Sequence, residues 1–248
     1  MTESPYHIKV SYLKETGSTN AKAMDLLANG SLEPPFVVRA GFQSSGKGMG
    51  GNTWQSEPGK NLLFTLCIHP KNLHPENIFL VSKTVSLALA VFLRQYVKAD
   101  ISIKWPNDLL VNEKKIAGML IQNELGTSGV YHSFIGLGIN INQTVFPGNI
   151  LGPTSLKSIA QKDFDLDNLF ANLLQEIMEW WVLLEQQAYS YINNRYLENL
   201  YLFGKDHVFK DEQGNSLRGR ISGISHEGLL EVMTENGKKA FPFKGITF

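Results

Sequence analysis

Gly136-Leu-Gly-Ile-Asn-Ile-Asn142 is the stretch on which the fold class turns. A Gly-x-Gly of the dinucleotide-binding kind opens a helix, but here apolar residues carry a strand on from Val130 to Asn142. Strand alternation puts Gly136, Gly138, Asn140 and Asn142 on one face and Leu137, Ile139 and Ile141 on the other. A core strand does not need a face of glycines and amides, whereas a ligand lying across it explains the arrangement. Working outward, strands are predicted over Ile8–Leu13, which alternates as a half-buried strand does, and over Phe36–Phe42, Asn61–His69 and Ile101–Trp105. Asp108–Val111 and Lys115–Glu124 read as a hairpin across Asn112–Lys114. Helices are predicted over Asn20–Asn29 (Thr19 as cap, Gly30 at C′), Glu76–Val97, Asp165–Gln187 and Tyr191–Leu200. Strands come in runs without regular βαβ alternation, so the class is α+β and not doubly wound.

From Gly204 the texture changes. Short β-like runs alternate with turns at Gln213-Gly214-Asn215, Glu227-Gly228 and Asn236-Gly237. They predict a small antiparallel barrel or sheet of about 45 residues that leans on the larger unit. The expected domains are residues 1–200 and 201–248.

Charge and composition exclude several classes. The 248 residues hold 23 Lys plus Arg against 23 Asp plus Glu, so no global field draws the chain to nucleic acid or an anionic membrane surface. Cys67 is the only cysteine, which rules out an intrachain disulfide. It sits among Phe64, Leu66 and Ile68 and reads as a small core residue, not a nucleophile. His7, His69, His74, His132, His207 and His226 show no metal-ligand spacing. The apolar stretch Ile78–Val97 is broken by Ser82, Lys83, Arg94 and Gln95 and reads as a core helix, not a membrane span. No apolar segment follows a basic one at the N-terminus. The expectation is a cytoplasmic, reduced protein with neither nucleic acid nor membrane as partner.

Local chemistry concentrates in five places. Gln43-Ser-Ser-Gly-Lys-Gly-Met-Gly-Gly-Asn-Thr-Trp54 is glycine-rich, so its N–H groups can turn toward an anion; Lys47 is its only formal charge, and Trp54 can stack on a base. A plain surface loop fits the glycines equally well. Lys104-Trp-Pro-Asn-Asp108 ends a strand abruptly; Asn107 can hydrogen-bond a ligand and Asp108 can help hold Mg²⁺, or the block is a turn with a buried Trp. In Lys115-Ile-Ala-Gly118, alternation sets Ile116 and Gly118 on one face and Lys115 and Ala117 on the other, and a mid-strand glycine suggests close approach of another group. The fourth place is the glycine strand itself. In the fifth, Gly17-Ser-Thr-Asn20, hydroxyls either cap a helix or meet a polar ligand.

Taken in order, these blocks resemble the biotin–protein ligase family from about Tyr12 to the end of the chain, including Gly219-Arg-Ile-Ser-Gly-Ile224 and Gly228-Leu-Leu230 in the small β unit. The resemblance implies a mixed β-sheet catalytic domain with helices on one side, followed by an SH3-like barrel, in the form without an N-terminal DNA-binding domain. It implies formation of biotinyl-5′-AMP from biotin and ATP with Mg²⁺. Biotin then passes to a lysine of a biotin carboxyl carrier protein domain of a biotin-dependent carboxylase. Family members are monomers or homodimers. A lipoate ligase-like acyltransferase and a non-catalytic biotin sensor are the rival readings.

Carried over residue by residue, the resemblance implies that Lys115 bridges the biotin carboxylate and the α-phosphate. Lys47 and the N–H groups of Gly48 and Met49 cover that charge, and Gly46 belongs to the same loop. Ser18, Thr19, Asn20 and Gln43 meet the ureido end of biotin, and Gly118 leaves it space. Trp54, Asn107 and Asn140 contact the adenylate, and Asp108 places Mg²⁺. One departure stands out. Lys47, Met49, Gly50 and Asn52 occupy positions where relatives often carry arginine, which implies a less tightly held intermediate.

Overall fold

The computed structural model describes residues 8–71, 73–126, 129–146 and 152–248. Seven strands form one sheet: β1 (Lys9–Leu13), β2 (Phe36–Ala40), β3 (Leu62–Ile68), β4 (Ile101–Lys104), β5 (Asp108–Val111), β6 (Lys114–Gly126) and β7 (Gly129–Ile139). Their spatial order is β1-β2-β3-β7-β6-β5-β4. Only β1–β2 is parallel, and every other pair is antiparallel, so the sheet is mixed as expected.

All seven residues of β3 are buried because helices cover both faces of the sheet there. On one face α1 (Thr19–Ala28) packs Ala23 against Phe36, Val38, Cys67 and Phe134. On the other lie α2 (Phe79–Arg94), α4 (Leu166–Glu185) and α5 (Tyr189–Glu198), following the short α3 (Leu156–Ala160). The expected one-sided arrangement thus holds for α2, α4 and α5, with α1 added on the reverse. The segment Pro75–Arg94 has the length and hydropathy of a bilayer-crossing helix, but it is packed mostly inside the core. Cys67 is a core residue, and burial, with Glu124 adding, pushes its thiol up to about 12.

Several local expectations shift. Ser18, not Thr19, is the N-cap of α1, and its hydroxyl makes no capping bond. Gln43 Oε1 accepts from Thr19 N–H at 2.7 Å instead. Gly30 stands at C′ as expected, with Gly30 N–H donating to Leu27 O and Ser31 N–H to Leu26 O. The α4 N-cap is Asp165, whose carboxylate accepts from Asp167 and Asn168 N–H. β1 alternates, but Val10 and Tyr12 face outward at 47% and 61% exposure, because β1 is the sheet's edge. The glycine strand ends at Ile139, short of the expected Asn142.

The C-terminal residues form a five-stranded antiparallel sheet, β11-β10-β9-β8-β12. The strands are β8 (Asp206–Asp211), β9 (Ser216–Ile224), β10 (Leu230–Thr234), β11 (Gly237–Phe241) and β12 (Ile246–Thr247). The last two-residue strand carries no periodicity and was not expected. This sheet is fastened to the first unit at the strand-ending block, where Trp105 Nε1 donates to Gly228 O at 2.8 Å.

Candidate active site

A cavity of about 310 Å³ opens where the two units meet. Its floor is a pair of glycines. Gly118 on β6 and Gly138 on β7 are direct cross-strand partners. The Trp54 indole lies over them: a Cβ on Gly138 would stand 2.4 Å from Trp54 Cε2, and one on Gly118 3.2 Å from Trp54 Cζ3. No side chain larger than hydrogen fits under that ring at Gly138. Gly136, two residues back, gives its space to Asn20, whose Oδ1 would be 2.0 Å from an added Cβ. The glycine face therefore exists, and it is occupied by two side chains from elsewhere in the chain.

Lys115 reaches this floor through a β-bulge. Leu109 pairs with Ala117 but Leu110 pairs with Lys115, so Ile116 is an extra residue in β6. Ile116 and Ala117 are both fully buried in the main core. Lys115 is thereby turned onto the same side as Gly118, where an added Cβ would meet its Cε at 3.2 Å. Strict alternation had put Lys115 and Gly118 on opposite faces. The Lys115 ammonium sits 2.7 Å from Asp108 Oδ1, an ion pair approached too obliquely for an aligned hydrogen bond. It also lies 5.7 Å from the Trp54 ring centroid.

One end of the cavity is a hydrogen-bonded cluster. Asn20 Nδ2 donates to Leu120 O at 3.1 Å and Gln122 Oε1 at 3.0 Å. Thr65 Oγ1 lies 2.6 Å from Asn20 Oδ1 and 2.9 Å from Thr19 Oγ1. With one proton it donates to the amide oxygen and accepts from Thr19, or the reverse priority leaves Thr19 donating to Gln43 Oε1 at 3.0 Å. Sequence reasoning reached Thr19, Asn20 and Gln43 and missed Thr65 and Gln122. The signal for Thr65 was a lone hydroxyl in the apolar run Leu62–Ile68.

The expected residues do not all converge. Ser18, Thr19, Asn20, Gln43, Lys47, Gly48, Met49, Trp54, Asn107, Asp108, Lys115 and Gly118 line the cavity. Gly46 and Asn140 do not. Gly46 is buried beneath the loop, where a Cβ would be 2.5 Å from Trp54 O. Asn140 continues the chain past β7, donating its N–H to Ile116 O and accepting Leu156 N–H. Asn142 is likewise engaged away from the site, with Phe164. Gly48 N–H, expected to face an anion, donates to Asn52 O at 2.7 Å and closes the glycine loop on itself. Asn107 is held to Met119 through its side-chain amide and its backbone carbonyl, which leaves Oδ1 and the second Nδ2 hydrogen for a ligand.

Electrostatics favour an anion. Lys47, Lys104, Lys115 and Lys244 line the cavity, and among the described residues Asp108 is the one acidic side chain that does. Lys104 belongs to the strand-ending block singled out in the sequence, whereas Lys244 lay outside that expectation: it comes from the C-terminal unit, 129 residues beyond Lys115, with no local motif around it. A resident Mg²⁺ on Asp108 fits poorly. That carboxylate is taken by Lys115, and among the described residues no three His, Cys, Asp or Glu side chains gather. Mg²⁺ needs near-octahedral oxygen ligation and is commonly brought by nucleotide phosphates.

A family profile settles the class. The biotin/lipoate A/B protein ligase family matches residues 12–140, and the chain belongs to that family. It is 26% identical over 242 residues to a biotin–[acetyl-CoA-carboxylase] ligase of Paracoccus denitrificans, covering 95% of this chain and 99% of the relative. It is 29% identical over 243 residues to the bifunctional ligase/repressor BirA of Bacillus spizizenii, covering 92% of this chain and 70% of BirA. The biotin protein ligase from Aquifex aeolicus, solved in complex with biotin and ATP, shares the fold at a TM-score of 0.79 and 25% identity, covering 96% and 97% of the two chains. Within the broader family, these likenesses group the chain with the biotin protein ligases.

Proposed function

We propose that the chain is an ATP-dependent biotin–protein ligase that forms biotinyl-5′-AMP and transfers biotin to a lysine of a biotin carboxyl carrier domain. The observation that carries this is the Lys115–Asp108 ion pair, set beside the Gly118–Gly138 floor in a cavity lined by four lysines and one acid. In the first step the biotin carboxylate attacks the α-phosphate and pyrophosphate leaves. Two unit negative charges about 4 Å apart repel by roughly 4 kcal/mol at an effective dielectric of 20. An ammonium placed between them offsets that repulsion and stabilises charge on the phosphorane-like transition state. Asp108, 2.7 Å from the ammonium, holds Lys115 aimed at that position. In the second step the carrier amine attacks the anhydride carbonyl, the C–O bond breaks, and AMP departs as the amide forms and the amine sheds its proton.

Biotin is favoured over lipoate by the polar end of the cavity. Thr19, Asn20 and Gln43 bring both donors and acceptors there, with Thr65 and Gln122, outside the cavity lining, as their hydrogen-bond partners. A ureido ring can use both, whereas a dithiolane has no N–H to give.

The experiment is intact mass of a purified biotin carrier domain after incubation with this protein, biotin, ATP and Mg²⁺. A gain of one biotinyl group that requires ATP is expected. No gain with biotin, together with a lipoyl gain when lipoate replaces it, would overturn the substrate assignment. Inertness with both would favour the sensor reading.

A further inference from the structure

The glycine-rich loop is held from the far end of the chain. Lys244 Nζ donates to Gly50 O at 2.7 Å, across 194 residues of sequence. Phe243 closes on the same point: a Cβ on Gly50 would stand 2.5 Å from Phe243 Cε1 and 2.8 Å from Lys244 Cε. Gly50 has φ 64° and Lys244 φ 69°, both left-handed. That conformation is uncommon for a lysine and needs surrounding structure to hold it. The turn is braced by Gly245 N–H donating to Pro242 O at 2.9 Å, and its sheet by Trp105 donating to Gly228 O. Phe243 and Lys244 line the same cavity as Lys47, Met49 and Trp54.

We propose that the Pro242–Gly245 turn clamps the glycine loop and that Lys244 is a positioning residue for it. The consequence for catalysis rests on the ligase reading above. A glycine-rich segment loses more conformational entropy on ordering than other sequences do. Anchoring Gly50 before substrate arrives removes part of that cost from binding. The clamp therefore acts on nucleotide affinity and leaves the bond-making step alone.

The test uses Lys244→Met, which keeps the aliphatic stem without the donor, and Lys244→Arg, which restores a donor. The first readout is tryptic cleavage after Lys47 in the free protein, followed by mass spectrometry. Cleavage reports how often the loop opens. Loss of one hydrogen bond predicts cleavage about 3- to 10-fold faster in Lys244→Met, recovery in Lys244→Arg, and an unchanged thermal midpoint. Equal rates in wild type and Lys244→Met overturn the clamp, as does a Lys244→Arg variant no better than Lys244→Met. The second readout is biotin-dependent pyrophosphate–ATP exchange. Lys244→Met should raise KM for ATP by a similar factor with kcat nearly unchanged, and a fall in kcat at constant KM overturns the positioning role. If the wild type shows no exchange at all, the ligase reading fails, while the cleavage rates still decide the clamp.

Discussion

The Lys115 ammonium stands 2.7 Å from Asp108 Oδ1 because Ile116 is an extra residue in β6, opposed by none in β5. Without the bulge, Lys115 would point into the core and Ile116 toward the cavity. Pairing with Asp108 fixes the direction of an otherwise flexible side chain, so the cation is in place before a ligand arrives. Lys115→Ala should therefore lower biotin-dependent pyrophosphate–ATP exchange by about 100-fold, the order expected for one or two charge-assisted hydrogen bonds in the transition state. Exchange within about 3-fold of wild type would remove Lys115 from its central role. Asp108→Asn should leave substrate binding closer to normal and lower kcat, since it frees Lys115 without removing it.

Gly138 tests the floor. A methyl group there would overlap Trp54 Cε2 at 2.4 Å, and neither the central strand nor the ring beneath the loop can shift cheaply. Gly138→Ala should cost about 1–3 kcal/mol of stability by overpacking and should weaken biotin binding. Combining it with Trp54→Ala should return most of the stability and none of the binding. Denaturant unfolding and calorimetry of the two variants would show whether the costs couple in this way.

Retention of the adenylate should respond to Met49. The residue lines the cavity, in a glycine-rich loop whose only formal charge is Lys47. Met49→Arg adds a charge-assisted bond worth about 1–2 kcal/mol to an anionic intermediate. Release should slow by roughly 5- to 30-fold, read as slower labelling of an exogenous amine present at high concentration. Labelling no slower than wild type would refute the idea that the arginine-poor loop leaks.

Away from the site, Lys83 of α2 is buried between the rings of Phe79 and Tyr196, with Nζ donating to Asn193 Oδ1 at 2.7 Å. Burial lowers its pKa from 10.5 to about 8. Between those values the unfolded chain holds a proton that the folded chain does not, so stability should rise as pH climbs from about 8 to 10.5. Below pH 8 the folded state carries a desolvated ammonium. Lys83→Met should raise the thermal midpoint at pH 7 and flatten the rise relative to wild type. Asn193 is half-buried and can turn to water in its absence. Parallel curves for the two proteins across this range would show that Lys83 is not the group responsible.

The polar end of the cavity makes a separate prediction. Thr65→Val keeps the shape of a fully buried residue and removes the hydroxyl shared by Thr19 and Asn20. It should cost about 1–3 kcal/mol by leaving Asn20 Oδ1 unsatisfied. It should also raise KM for biotin with little change in KM for ATP, in steady-state exchange assays.

Most strands and helices along the chain, apart from α3 and β12, the core placement of Cys67 and α2, and the five blocks that line the cavity were legible in the sequence. These follow from local patterns: period-two and helical spacing, turn residues, and motif order along the chain. Four things were decided only by tertiary structure. The bulge at Ile116 reversed the face of Lys115, because alternation holds only while both strands advance one residue at a time. The pairing of Gly118 with Gly138, and the landing of Trp54 on that pair, depend on register between strands and on a loop from another part of the chain. The outward face of β1 follows from its edge position, which its own residues do not encode. Lys244 joined the cavity, and Asn140 left it, through contacts between segments far apart in sequence. Local propensity sets which elements form. Which side chains share a cavity is set by long-range packing, and no window of neighbouring residues contains that information.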